Sequence, residues 1–419
     1  MNSFLRNFTT LLGGNGLAFA VQLASAPVLT RLFSPEDFGV YANVMAVAAL
    51  LAVVGAGRFE QAIVQGAGSS KSFGLAKLSL KLSALSCVVS FLPLYLFRKS
   101  LWQHYSMDPK HLLWLVPLVA LGTLVYGIFI QLANAQGQYK RMALAKLTYA
   151  FLVALSSAAL GWVGLGAEGL IGGVLAGFAL TTFLLIPQIT AALRHKQTYS
   201  PPLTAEYKDF PRWNLPLAVV DTLNQQVVFN LLFTSFFGVK AMGWYSVTWR
   251  YLRAPARLVH SSAAQLFYRE AAAHRNDPEA VAGFFRQTLR NTLVFALPLV
   301  TVLMLLGPWL FGMVLGEDWR TAGVYAQVLA PMIGLGMVSG AVSTVPMVFE
   351  RQRTFTIISI SGQVLALAGL WFASYAQLHN ITVEPGDAVL PALAVYVGIT
   401  CVVYLGLLMW FWKLIRTQG

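Results

Sequence analysis

Three arginines stand close together within one long apolar stretch of the sequence. Arg250, Arg253 and Arg257 have the spacing i, i+3 and i+7, which places them on one face of a helix. A guanidinium group stays charged and binds phosphate through two parallel hydrogen bonds. A charge near the bilayer centre costs about 2.5 kcal/mol or more, so this face must meet water or anions. The spacing predicts an anion-binding site, and Pro255 within it predicts a kink or hinge. The alternative is that Arg257 extends to the inner surface and that the other two arginines pair structurally with acidic neighbours.

The preceding apolar stretch contains a single acidic residue, Asp221, and two amides follow it one turn later, Asn224 and Gln225. A carboxylate inside a membrane span can carry a proton or a sodium ion, or it can be the counter-ion of the arginines. Both interpretations stay open. We expect the two amides to share its helix face and to hydrogen-bond a polar ligand.

A second pair of charges, Arg58 and Glu60, follows an earlier apolar stretch. These residues occupy the equivalent place in the first half of the chain. Arg58 is a candidate for substrate binding, and Glu60 is a candidate for ion coupling or for a counter-ion. The alternative is an interfacial ion pair at a helix end.

The composition is that of a membrane protein. The chain has 419 residues, of which 57% are hydrophobic and 11% charged, whereas a soluble domain has roughly a quarter charged residues. Such a chain cannot cover its surface with polar groups. Its two cysteines, Cys87 and Cys401, lie in apolar stretches, so we expect neither a disulfide framework nor a thiolate metal site.

A spanning helix needs about 20 mostly apolar residues. Reading the chain at that length predicts twelve spans. They are residues 8–30, 38–56, 75–97, 112–135, 143–165, 169–193, 213–237, 241–267, 290–313, 321–348, 355–377 and 388–412.

The basic residues predict the orientation of these spans. Most of the 29 Lys and Arg residues fall in the connections after even-numbered spans and at the two termini, whereas acidic residues show no such bias. Because positive loops remain in the cytoplasm, both termini are predicted to be cytoplasmic. Topology thus explains the net charge of +13, and nucleic acid is not expected as a partner.

A weak internal repeat suggests two halves. Gly39-Val40-Tyr41 at the start of the second span recurs as Gly243-Trp244-Tyr245 at the start of the eighth. We therefore predict an N-lobe (1–197, the first six spans), a cytoplasmic linker (198–212) and a C-lobe (213–419), with a cavity at the interface of the lobes.

Several segments in a fixed order carry a resemblance to a known family. They are residues 29–41, 58–64, 134–137, 210–212 with Pro216 and Asn224, 243–245 with Arg250 and Pro255, and Trp319 with Ala322 and Gly323. In these segments the chain resembles the Wzx-type polysaccharide flippases of the multidrug/oligosaccharidyl-lipid/polysaccharide (MOP) exporter superfamily.

The resemblance implies an all-α integral membrane protein with twelve transmembrane helices in two six-helix lobes around a central cavity. It implies transport of an undecaprenyl-pyrophosphate-linked O-antigen or exopolysaccharide unit from the cytoplasmic to the periplasmic leaflet of the bacterial inner membrane. It further implies coupling to a proton or sodium gradient, no bound cofactor or metal, and other polysaccharide assembly proteins as partners. The cavity arginines of the family would map onto Arg58, Arg250, Arg253 and Arg257.

Three other functions compete with this one. A multidrug antiporter of the same superfamily would need acidic cavity residues for cationic drugs, and Asp221 stands against three arginines. A lipid II flippase would share the pyrophosphate headgroup, although families of that kind usually have additional C-terminal spans. A membrane polymerase or acyltransferase would need a placed acid, base or nucleophile, and the six histidines are scattered.

Overall fold

The computed structural model of the protein describes residues 3–67, 70–105, 109–194, 202–275, 277–378 and 389–417. These residues form helices and turns, and no β-strand occurs among them. A chain in lipid must satisfy its backbone hydrogen bonds within each segment, and a helix does this. The predicted all-α fold is confirmed.

The first compact unit of the structure spans Met1–Ser235. Turns of π-helix, Phe210–Asn214 and Leu223–Val228, flank its last helix. Short helices, Phe59–Ala62 and Leu203–Glu206, lie in two of its connections. Its main helices are α1 (Ser3–Leu32), α2 (Pro35–Gly55), α3 (Lys71–Tyr105), α4 (Pro109–Ala135), α5 (Tyr139–Trp162), α6 (Gly166–Arg194) and α7 (Leu215–Thr222).

The second compact unit spans Phe236–Gly419. Helix α8 begins in the last residues of the first unit and continues into the second, where a short helix, Val345–Val348, precedes α11. The main helices are α8 (Phe229–Ala273), α9 (Pro278–Leu315), α10 (Arg320–Ala341), α11 (Gln352–Leu378) and α12 (Val389–Thr417).

The twelve predicted spans lie mainly in helices, although non-helical residues at 163–165 and 342–344 fall within two of them. Among the described residues, ten helical segments are long and apolar enough to cross a membrane. One of them, Phe210–Ala273, contains both the seventh and the eighth predicted spans, and Gly16–Leu32 covers most of the first. The protein is therefore a multi-pass membrane protein.

The break between the seventh and eighth spans lies at Gly238, within α8. Its backbone angles, φ 82° and ψ 169°, are not helical and are readily available only to glycine. At Pro255, where the sequence suggests a kink or hinge, the backbone angles are helical, and the bend stays a prediction. The break at Gly238 thus precedes the arginines.

The segment before Gly238 is fastened to the first unit by buried polar contacts. The amide of Asn43 on α2 donates to the hydroxyl oxygen of Thr234 over 3.1 Å. Asn230 donates to the backbone carbonyl of Ala42 over 3.2 Å. These contacts hold this segment to α2, so the first unit extends to Ser235. The predicted linker (198–212) begins partly outside the described residues, and the lobes 1–197 and 213–419 stay a prediction.

The two Gly-x-Tyr segments occupy matching positions. Helix α2 begins at a capping box, in which Asp37 N–H donates to Ser34 Oγ (3.2 Å) and Ser34 N–H donates to Asp37 Oδ2 (2.9 Å). Tyr41 lies buried seven residues after Ser34, and Tyr245 lies buried seven residues after Gly238. In both units a break in the helix thus precedes a buried tyrosine by the same distance.

Within the second unit, α8 is tied to the connection between α9 and α10. The indole N–H of Trp244 donates to the carbonyl of Asp318 (2.8 Å), and the hydroxyl of Thr248 donates to the carbonyl of Ala322 (2.8 Å). Trp244 and Thr248 lie six and two residues before Arg250 on α8. They fix the part of α8 that carries the arginines relative to the rest of the unit.

Candidate functional site

The three arginines lie on one uninterrupted helical stretch of α8, as their spacing predicted. Their surroundings differ. Arg250 and Arg257 are exposed within the second unit, whereas Arg253 is half-buried. The predicted helix face therefore carries two exposed guanidinium groups, with a partly buried one between them.

Arg253 lies against aromatic side chains of the second unit. Its guanidinium carbon is 5.2 Å from the ring centroid of Trp249, and Trp249 stacks on the buried ring of Tyr245 with centroids 6.0 Å apart. Tyr396 and Tyr404 on α12 lie within electrostatic range of the same guanidinium group. The aromatic ring of Trp249 thus helps to hold the position of Arg253.

These aromatic neighbours were missing from the sequence prediction. Tyr245, Trp249 and Arg253 follow one another at i, i+4 and i+8, a spacing that places them along one face of α8. The pattern was therefore available in the sequence. The partners from α12 could not be identified because they depend on the packing of two distant helices.

A positive region continues toward the far end of α8. Arg257 lies close enough to Arg253 for the two charges to repel each other. The acidic residues that the structure describes in the second unit all lie near helix ends: Glu270, Asp277, Glu279, Glu317, Asp318 and Glu350. Among the described residues of this unit, no carboxylate therefore lies at the depth of the arginines, which leaves a site suited to an anion.

Asp221, Asn224 and Gln225 lie in the first unit, within the seventh predicted span. Gln225 donates from Nε2 to Asp221 Oδ1, so the expected shared face is present for this pair. Asn224 and Gln225 belong to the π-helical turn Leu223–Val228, a rare geometry that is frequent at functional sites. This turn was not predicted from the sequence. The roles of Asp221 in ion coupling or as a counter-ion stay predictions.

Arg58 and Glu60 form a polar site in the connection between α2 and α3. Arg58 Nη1 is 3.5 Å from Glu60 Oε1, and the two side chains are 21% and 12% exposed. The backbone at Arg58 is left-handed, with φ 63°, directly after Gly57 with φ 58°. A left-handed non-glycine residue costs about 1–2 kcal/mol. The buried ring of Phe59 helps to hold the turn in this strained form.

The pairing of these two charges is incomplete. Arg58 Nε and Glu60 Oε2 are buried and have no hydrogen-bond partner within the described part of the chain. Burial raises the pKa of the Glu60 carboxyl, while a backbone hydrogen bond and Arg58 oppose that rise. The predicted ion pair exists, and its carboxylate is unusually ready to accept a proton.

A cavity of about 480 Å³ opens between α8 and α9 in the second unit. Its lining is mainly apolar, with Leu266 and Phe295, and it includes the polar side chains of Ser262 and Asn291. None of the three arginines lines it. In the described part of the chain, no group of three His, Cys, Asp or Glu side chains is arranged to hold a metal ion.

The chain matches the family described as "polysaccharide biosynthesis protein" over residues 28–323. No curated protein matches the sequence. Solved structures of transporters share its fold. A lipid II flippase, MurJ, in an inward closed conformation matches with a TM-score of 0.70 and 11% identity, over 94% of this chain and 86% of that one.

Two further structures have lower TM-scores but cover nearly all of both chains. An inward-facing multidrug resistance MATE family transporter of the MOP superfamily has a TM-score of 0.59 and 15% identity, over 97% of this chain and 96% of that one. A MOP superfamily transporter from Pyrococcus furiosus has a TM-score of 0.60 and 14% identity, over 98% and 95%. At these identities the likeness establishes the fold, which is that of MOP superfamily transporters.

Proposed function

Because the chain belongs to the polysaccharide biosynthesis protein family, we propose that it flips a lipid-linked glycan across the membrane. The substrate is an undecaprenyl-pyrophosphate-linked oligosaccharide, an O-antigen or exopolysaccharide repeat unit, which moves from the cytoplasmic to the periplasmic leaflet by alternating access. The observation that supports this most directly is the set of three arginines on α8, at a depth without described carboxylates in their unit.

In this proposal the arginines bind the pyrophosphate, whose charge is the costliest part of the substrate to move through a bilayer. Arg250 and Arg257 are exposed and contact it directly, while Arg253 is held by its aromatic neighbours and contributes charge from a fixed position. Arg58 supplies the corresponding charge in the first unit. Asn224 and Gln225 hydrogen-bond the sugar hydroxyls.

Ion coupling is assigned to a carboxyl group of the first unit. Glu60 is the stronger candidate because burial favours its neutral form and one of its oxygens lacks a hydrogen-bond partner among the described residues. Protonation of Glu60 would free Arg58 from its ion pair, and deprotonation would restore it. Asp221, which is exposed and bonded to Gln225, is the second candidate for the proton or sodium ion.

The proposal places the protein in the bacterial inner membrane with both termini in the cytoplasm, as the Lys and Arg distribution predicts. Lipid-linked glycan, membrane lipid and other polysaccharide assembly proteins are its partners. Export of cationic drugs has less support, because the positive charges on α8 would repel such substrates.

The experiment compares the leaflet location of undecaprenyl-pyrophosphate-linked sugar in membrane vesicles from cells with and without the protein. We expect the glycan to accumulate on the cytoplasmic face without it, and we expect wild-type protein to reverse this. The Arg250→Ala/Arg253→Ala double variant should fail, whereas Arg269→Ala, which removes a highly exposed arginine from the same helix, should succeed. Normal transport by the double variant would refute the role of the arginines.

A further inference from the structure

Two arginines from different helices share one tryptophan ring at an end of the second unit. The guanidinium carbon of Arg286 on α9 lies 5.3 Å from the ring centroid of Trp412 on α12, and that of Arg416 lies 4.6 Å from it. Both arginines are exposed. Neither is on α8, so this group is separate from the arginines assigned to the substrate.

Apolar packing within the second unit fixes the position of Trp412. Its ring lies 5.7 Å from that of Phe285, and it packs against a buried apolar cluster that includes Phe285 and Phe411. A tryptophan at the end of a spanning helix typically marks the boundary between hydrocarbon and headgroups. The two guanidinium groups are therefore held at the depth of lipid headgroups.

Among the described residues no carboxylate forms an ion pair with Arg286 or Arg416, and both arginines contact Trp412. Two carboxylates at helix ends of this unit are engaged elsewhere. Glu350 pairs with Arg275 at 2.9 Å, and Asp277 accepts the backbone N–H of Ala280 at 3.0 Å as a helix cap. Lys413, exposed and next to Trp412 in the sequence, adds a further positive charge at this end of α12. The pair is therefore free to bind an external anion.

From each arginine, exposed apolar side chains line the same helix face toward the interior of the membrane. On α12, the exposed Met409, Leu405 and Val402 follow Trp412 and Arg416 at helical spacing along one face. These residues lead from the charge toward the middle of the helix. They provide a surface for a hydrocarbon chain.

Helix α9 has the same arrangement. Leu293, Leu297 and Met304 are exposed and follow Arg286 along one face. Both helices thus present positive charge at the headgroup level and apolar surface below it, an order that matches one lipid molecule and not a free phosphate ion.

We propose that Arg286, Trp412 and Arg416 bind the phosphate headgroup of an anionic phospholipid, whose acyl chains lie on the apolar faces of α9 and α12. The guanidinium groups donate hydrogen bonds to the phosphodiester oxygens, and the tryptophan ring keeps both groups oriented. A basic pocket between spanning helices on the cytoplasmic side is a recognised setting for such a lipid. The proposal does not depend on the transported substrate.

The test is native mass spectrometry of the purified full-length protein with phosphatidylglycerol or phosphatidylethanolamine. Wild type should retain one phosphatidylglycerol in preference to phosphatidylethanolamine. The Arg286→Gln/Arg416→Gln variant should bind it roughly thirtyfold more weakly, because two basic contacts are lost. The control variant Arg351→Gln/Arg353→Gln removes the same charge from exposed positions at the connection before α11 and should bind normally.

Equal loss in the control variant would overturn the proposal, because general attraction to positive charge would then explain the binding. Equal retention of phosphatidylethanolamine would also overturn it. Displacement by undecaprenyl phosphate at equal concentration would identify the place as a substrate entry point and would likewise contradict it. Glycan transport is measured separately, so failure of this site leaves the flippase proposal unaffected.

Discussion

Replacing Arg253 with alanine should lower both stability and transport, whereas replacing Arg250 should lower transport alone. Arg253 is half-buried with its guanidinium carbon 5.2 Å from the Trp249 ring, and Arg250 is exposed. A partly desolvated cation–π contact contributes about 0.5–2 kcal/mol, and the packed alkyl stem adds to it. We expect Arg253→Ala to cost about 1–3 kcal/mol of stability and Arg250→Ala no more than about 0.5 kcal/mol.

The effect on transport follows from the lost phosphate contact. A hydrogen bond to a charged group contributes about 1.5–3 kcal/mol, which corresponds to roughly a 10- to 150-fold loss of substrate affinity for Arg250→Ala. Arg253→Ala removes a charge that does not contact the phosphate directly, so its loss of affinity should be smaller. Thermal unfolding of the purified variants measures the first effect, and glycan flipping in proteoliposomes measures the second. Lysine at position 250 should restore transport only in part, because it lacks the planar fork of arginine.

Three results would contradict these expectations for Arg250 and Arg253. If Arg253→Ala unfolds at the same temperature as wild type, the aromatic neighbours do not hold that side chain. If both alanine variants are stable and transport at the wild-type rate, the arginines on α8 do not bind the substrate. Loss of stability in Arg250→Ala equal to that in Arg253→Ala would contradict the difference in burial from which the prediction starts.

Three other predictions follow from the structure. Because burial raises the pKa of Glu60, its neutral form is favoured in the folded protein, and the folded state of wild type loses stability as pH rises. Glu60→Gln should therefore gain stability relative to wild type on going from about pH 5 to about pH 8. A difference in thermal unfolding that does not change with pH would contradict this. Gly323→Ala should destabilise by about 1–3 kcal/mol or more, since its Cβ would lie 2.5 Å from Pro308 Cα, whereas Gly406→Ala meets no atom within 4 Å and should unfold no earlier than wild type. Ser34→Ala should cost about 1 kcal/mol in the same assay through loss of the α2 cap, and no loss would show that the capping box is dispensable.

Much of the fold was predictable because a spanning segment needs only length and apolar composition. The twelve stretches of the sequence are mainly helical in the structure for that reason. Their exact breaks were harder to predict. The sequence did not predict the break at Gly238, because its positive φ is accessible to glycine but depends on a context that the sequence does not reveal.

The charged residues of the candidate site could be predicted from the sequence, whereas their backbone conformation and burial could not. Helical spacing placed the three arginines together and paired Asp221 with Gln225. It did not predict the left-handed backbone at Arg58, because that conformation is imposed by the packing of the following short helix. Nor could it distinguish the half-buried Arg253 from its exposed neighbours, since burial depends on α12.

The central claim is that the protein itself translocates a pyrophosphate-linked glycan. The most direct measurement uses purified protein in liposomes that contain a fluorescent undecaprenyl-pyrophosphate-linked glycan in one leaflet, with a membrane-impermeant quencher to report its transfer. We expect transfer by wild type and by Arg269→Ala, and none above the protein-free level by Arg250→Ala/Arg253→Ala. Transfer by the double variant at the wild-type rate, or none by the wild type under an imposed proton or sodium gradient, would contradict it.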